Sequence, residues 1–309
     1  MRTLVVGAGA VGGYFGGRLL DAGRDVTFLV RPQRAAELAR TGLVIESRLG
    51  NVRHDAPTVT ADAPGETYDL ILLSCKAYDL DDAIPSFAPA VGPRTAIIPF
   101  LNGMRHLDVL DARFGAPRVL GGLCFISATR GPRGEIVHLN EAHTLSYGER
   151  DGARSPRMER IADAFAGANF DARASDAILQ EMWEKWVFIA AGAGLTCLMR
   201  ATVGDIVAAG GADVAVGLLD ECATIAEHAG VPIRPPAMER SRATFTAPGS
   251  TLAASMLRDV ESGGRTEAHH VIGELLRLAR DPRDCPLLRI ALVHLESYEA
   301  RRAREHPPN

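Results

Sequence analysis

Lys76 and Lys185 are the only lysines in a chain with 34 basic residues, all the others being arginine. An arginine-rich background accounts for the arginines but not for the survival of two lysines. A lysine ammonium is compact and its pKa responds readily to burial, whereas a guanidinium stays charged. Lys185 lies in Met182-Trp183-Glu184-Lys185-Trp186-Val187-Phe188. Apolar bulk closing over such an ammonium would desolvate it and make it a better proton donor; a lysine on a helix surface is the plain alternative. Lys76 follows the apolar run Leu72-Leu73-Ser74-Cys75. If that run is a strand, Lys76 stands at its carboxyl end, where ligands of open α/β sheets bind. Asn102, in Phe100-Leu101-Asn102-Gly103-Met104, follows the next expected strand to the equivalent edge. Asn before Gly is also ordinary turn chemistry.

Positioning these groups calls for a scaffold, and the first residues supply its signature. Gly7-Ala8-Gly9-Ala10-Val11-Gly12 matches GxGxxG directly after an apolar strand and at the start of a helix, the context this motif needs. Gly7 permits the tight turn, Gly9 lets backbone approach a pyrophosphate, and Gly12 lets the helix pack closely on the sheet. The helix N-terminus turns its amides toward the phosphates. A NAD site usually carries an acid about 20 residues later to hold the ribose 2′-hydroxyl. The chain has Val30-Arg31-Pro32-Gln33-Arg34 there, and the nearest acid, Asp25, is at the wrong end of the strand. Arg31 therefore reads as a ligand for the 2′-phosphate of NADP(H), with Arg34 as a second candidate.

Strand signals at 3–6, 25–30, 69–74, 95–100 and 119–127 alternate with helical stretches at 10–20 and 33–40. Shorter strands fit 43–46 and 51–59. This order implies an α/β fold with a Rossmann-type doubly wound parallel sheet. Segments 135–139 and 144–148 have strand character and suit an antiparallel edge. From about residue 155 the texture turns helical, with helices expected over 178–199, 213–229, 255–261, 266–280 and 287–304. Pro232, Pro235 and Pro236 mark a loop between helices. The expected division is an NADP-binding domain at 1–172 and a mainly α-helical substrate domain at 173–309, with the tail HPPN frayed.

A chain of 309 residues suits two domains. Hydrophobic residues at 47% and charged residues at 23% fit a soluble globular protein. No apolar run reaches the roughly 18–20 residues of a membrane span, and the opening segment lacks a secretory core and cleavage site. Cys75, Cys124, Cys197, Cys222 and Cys285 are scattered without a CxxC pair, as expected of reduced thiols in a cytoplasmic protein. A net charge of −4 without a basic stripe argues against nucleic acid as a partner. No metal site is expected. The oligomeric state is left open, a homodimer being among the options.

The chain resembles the ketopantoate reductases (2-dehydropantoate 2-reductases) along nearly its whole length. The segments that carry the resemblance are GAGAVGG at 7–13, LVR at 29–31, LSCKAYD at 73–79 and LNGM at 101–104. MWEKW at 182–186, LTCL at 195–198, SMLRD at 255–259 and RTE at 265–267 complete it, in family order and spacing. The resemblance implies NADPH-dependent reduction of a 2-oxo acid, 2-dehydropantoate to pantoate in pantothenate and coenzyme A synthesis. It implies Lys185 as the general acid that protonates the keto oxygen, and Glu267 as partner of that lysine and of the bound substrate or nicotinamide ribose. Asn102 would sit beside the nicotinamide, with Lys76 lining the same cleft. Ala128 would make a backbone contact to the cofactor and Ser255 would bind the substrate carboxylate. Glu267 also suits a helix N-terminal acid, and Ser255 a helix N-cap.

The chain departs from the family at two points. Where the family places asparagines four and eight residues beyond the lysine, this chain has Ile189 and Ala193. Residues at such spacing share one helix face, so the wall beneath Lys185 is apolar and lacks two amides for substrate oxygens. Ala268-His269-His270 replaces the usual acid-aromatic continuation; either histidine could supply a polar contact or serve structure alone. Three functions fit: the 2-dehydropantoate reductase, a paralogue acting on a more apolar 2-oxo acid or ketone, and a non-catalytic NADP(H)-binding regulator.

Overall fold

The computed structural model describes residues 1–62 and 65–305; the expected fraying of 306–309 lies outside the described residues. The chain separates into two compact units. One comprises Met1–Leu101 and His106–Leu179, and the other Asn102–Arg105 with everything from Gln180 onward. The division falls inside the first turn of a helix, a few residues beyond the expected 172.

The first unit runs β1 (Thr3–Val6), α1 (Ala10–Asp21), β2 (Val26–Leu29), α2 (Pro32–Thr41), β3 (Leu43–Glu46), β4 (Val52–His54), β5 (Thr58–Val59), β6 (Tyr68–Leu73), α3 (Leu80–Phe87), β7 (Val91–Pro99), α4 (Arg105–Phe114), β8 (Gly121–Arg130), β9 (Ile136–Gly148), α5 (Pro156–Phe165) and β10 (Asp171–Ala174). Five strands form a parallel sheet in the order β5-β2-β1-β6-β7. Register puts Val6 opposite both Leu29 and Leu73, and Leu73 opposite Pro99, so four carboxyl ends finish level. β1 is buried at every position and β6 at all but one, as a sheet covered on both faces requires. A second five-stranded sheet joins β10, β9, β3 and β4, with β8 paired antiparallel to β9. The two short segments expected at 135–139 and 144–148 are therefore one 13-residue strand. Its middle, Leu139–Ala142, is exposed, so the sequence there carries no alternation of buried and exposed residues to join the two segments.

The second unit is helical: α6 (Ile178–Met199), α7 (Val203–Ala208), α8 (Ala212–His228), α9 (Pro235–Phe245), α10 (Ser255–Glu261), α11 (Glu274–Arg277) and α12 (Pro286–Glu305). Among the described residues no helix is long and apolar enough to cross a membrane. Pro235 and Pro236, expected in a loop, instead open α9; proline is tolerated in a first helical turn, whose amides have no partner in any case. The helix expected over 266–280 is shorter and contains a π-helical turn, His269–Gly273, ahead of α11.

Candidate active site

In the first unit the turn between β1 and α1 is built from its glycines. Gly7 directly follows β1 with φ at +95°, in the left-handed region that glycine tolerates, and its amide donates to Leu29 O (2.9 Å). A Cβ on Gly12 would collide with Gly7 O and Ser74 Oγ. The Ser74 hydroxyl occupies that spot because it donates to Val6 O and Gly7 O (2.9 and 3.1 Å), tying β6 to the turn. Gly9 is the N-cap of α1, and no atom lies within 4 Å of where its Cβ would be. Gly12 is therefore crowded, whereas the space beside Gly9 is open. Val11 and Ala128 both pack at the margin of the core beneath.

The residues expected at the strand ends are where register places them. Arg31 caps α2 at its N-terminus; its side chain is 77% exposed and Nη2 lies 3.2 Å from Asp79 Oδ1. Lys76, half-buried, opens the 3₁₀ turn Ala77–Asp79 just after β6. Arg34 behaves differently from Arg31. It is buried, and donates from Nε to Ala8 O (3.2 Å) and from Nη1 to Gly134 O and Glu37 (3.1 and 2.7 Å). Arg34 thus braces the glycine turn against α2 and the β8–β9 turn, and its hydrogen bond holds the Glu37 carboxyl below the usual range. Position in sequence ranks Arg31 ahead of Arg34, and burial sets the two further apart.

In the second unit a small recess of about 100 Å³ collects three of the expected residues, Asn102, Ser255 and Glu267, against Ile189 and Ala193 of α6. Phe188 and Phe245, stacked 4.8 Å apart, wall one side. Thr196, which sequence reading passed over, also lines it. Its hydroxyl donates to Gly192 O (2.7 Å) and accepts from the amide of Ala254 (3.3 Å), so it is committed within the fold. That second bond, with those from the Val203 and Gly204 amides to Leu252 O and Ser250 O (2.9 and 2.8 Å), fixes the segment leading into α10. The α10 cap is Ala254, and Ser255 is the first helical residue rather than the N-cap. Glu267 is buried and immediately precedes the helical turn that begins at Ala268, so its N-terminal position and its place in the recess coexist. Lys185 stands four residues before Ile189, on the same face of α6, and is only 9% exposed.

Burial, and next the neighbouring His269, push the His270 pKa down. Among the described residues no group of His, Cys, Asp and Glu is placed to hold a metal ion.

Comparison with known proteins accords with this arrangement. The family model for ketopantoate reductase PanE/ApbA matches residues 3–152, and that for its C-terminal part matches 177–299. The chain belongs to the ketopantoate reductase family. Membership makes it an oxidoreductase and points to a nicotinamide cofactor. It is 41% identical over 302 residues to an uncharacterized oxidoreductase of Bacillus subtilis, YkpB, covering 97% of this chain and 99% of that protein. It is 28% identical over 301 residues to the 2-dehydropantoate 2-reductase of Archaeoglobus fulgidus, covering 97% and 98%. The crystal structure of 2-dehydropantoate 2-reductase from Methylococcus capsulatus superposes with a TM-score of 0.84 at 28% identity, covering 98% of both chains.

Proposed function

We propose that this oxidoreductase reduces a 2-oxo acid to the 2-hydroxy acid with NADPH, 2-dehydropantoate being the first substrate to test. The observation that carries the reading is the recess, where Asn102, Ser255 and Glu267 meet on the face of α6 that also carries buried Lys185. The open space over Gly9 and the left-handed Gly7 suit a dinucleotide pyrophosphate. When bound, the nicotinamide supplies hydride to the substrate's keto carbon. Lys185 stabilises the negative charge that develops on the keto oxygen and delivers a proton to it. Ser255 holds the substrate carboxylate, Asn102 orients the reacting groups, and Glu267 keeps Lys185 and the substrate in register. Lys76, the turn residues Gly7 to Gly12 and the backbone of Ala128 serve the cofactor.

Following NADPH absorbance with a panel of 2-oxo acids tests this. Turnover of at least one is expected; none at all, with tight NADPH binding intact, would leave an NADP(H)-binding regulator as the better reading. Lining of the recess by Ile189 and Ala193 favours a second reading, a more apolar 2-oxo acid or ketone. A substrate hydroxyl left without a partner there costs about 1–3 kcal/mol. Ordinary turnover of 2-dehydropantoate would exclude that reading.

The choice of NADPH over NADH rests on Arg31. Removing a charge-assisted hydrogen bond costs about 1.5–3 kcal/mol. Arg31→Ala should therefore weaken NADPH binding by about 10- to 100-fold and leave NADH binding nearly unchanged, as read by fluorescence titration. Equal losses for both cofactors would remove the 2′-phosphate role.

A further inference from the structure

We propose that the Arg105–Glu274 ion pair is a positioning device for Asn102, acting with the π-helical turn His269–Gly273. The segment Asn102–Arg105 packs with the helical unit although it follows β7 in the chain. Gly103, next to Asn102, has φ at +80°, and a Cβ there would lie 3.0 Å from His270 O and 3.7 Å from the Trp186 indole. Only glycine fits such a conformation at this closeness without strain.

Two polar bonds flank that seat. Arg105 Nη1 donates to Glu274 Oε1 (2.7 Å), whose side chain is 5% exposed. Burial alone would raise the pKa of Glu274, but hydrogen bonds from Arg277 and Arg105 outweigh it and keep the carboxylate charged. The Trp186 indole N–H donates to Val271 O (2.8 Å), in the middle of the π turn. A π turn displaces carbonyls from the regular helical ladder and is frequent at functional sites. Here the displaced backbone faces both Gly103 and the residue after Lys185, while Val271 N donates to Glu267 O (2.9 Å). The chain neighbours of Asn102 and of Lys185, and the backbone of Glu267, are all fixed to one five-residue turn.

Of these ties, Arg105 can be removed with least disturbance. Its side chain is 55% exposed, and Glu274 keeps Arg277 at 2.9 Å. With Arg105→Met, Asn102 loses its anchor on the exposed side. Misplacement of reacting groups on the ångström scale costs up to about 100-fold in rate, so a fall of about tenfold in kcat is expected, with KM for NADPH and the thermal midpoint little changed. Arg105→Lys should recover most of the loss. Amide hydrogen exchange at residues 102–105 should also speed up about tenfold in Arg105→Met and return toward wild type in Arg105→Lys. This kinetic readout rests on the 2-oxo acid reductase reading, whereas the exchange readout does not. If wild type reduces no 2-oxo acid, that reading falls while exchange still decides the positioning role. Unchanged exchange at 102–105 overturns the proposal, as does a kcat loss that merely tracks a lower thermal midpoint.

Discussion

Replacing Lys185 by alanine is expected to lower turnover of the 2-oxo acid by about 10²- to 10⁴-fold, the span typical of a removed general acid. Affinity for NADPH should stay within a factor of about two of wild type, because the proposed function assigns dinucleotide binding to the other unit's glycine turn and strand ends. The physical case is burial. Lys185, on α6, is only 9% exposed. In so dry a setting a positive charge acts on a developing alkoxide far more strongly than it would in water. Lys185→Met keeps the length of the aliphatic stem and guards against a loss that reflects packing alone. Steady-state kcat and cofactor fluorescence titration on both variants decide the matter; turnover within fivefold of wild type in either would remove Lys185 from the chemistry.

The second large effect separates two glycines of one motif. Gly12→Ala should destabilise the fold by about 1–3 kcal/mol, the usual cost of overpacking, because the new methyl meets backbone at Gly7 O and the fixed Ser74 hydroxyl. Neither can yield without opening the β1–α1 turn, so NADPH binding should fall with it. Gly9→Ala meets nothing within 4 Å and has an ordinary φ of −79°. It should unfold at the wild-type midpoint yet bind NADPH poorly, since the methyl fills space expected to admit the pyrophosphate. Thermal unfolding combined with cofactor titration checks both. A Gly9→Ala protein with normal affinity would place the phosphates elsewhere.

What could be read from the residues alone divides by sequence distance. The β1–turn–α1 unit, the alternation of strands and helices, and Arg31 at a strand end are local patterns, and the parallel sheet follows from them. Asn102 can be read from its place after a strand, whereas family resemblance named Ser255 and Glu267; no periodic signal would bring the three together, and the recess shows them adjacent. The second sheet was only half visible because the centre of β9 is solvent-exposed. The π turn leaves no mark in composition. Arg105 and Glu274 are 169 positions apart, beyond any local rule. Arg34 is a phosphate-ligand candidate by position; its bonds to the glycine turn, the β8–β9 turn and Glu37 of its own helix show that it braces the fold as well.

Helix α1 carries Gly12, Gly13, Gly16 and Gly17 within 12 residues. Each glycine inside a helix weakens it by about 0.5–1 kcal/mol relative to alanine, so this peptide in isolation would be mostly unwound. Its order comes from contact: a Cβ at Gly16 would lie 2.7 Å from the Phe28 ring, and one at Gly17 as close to Ile45. The amides proposed to meet a dinucleotide therefore come into being only with the sheet beneath them. A partly unfolded chain keeps no residual affinity in this helix, and gain or loss of the cofactor site is as cooperative as folding of the unit that contains it.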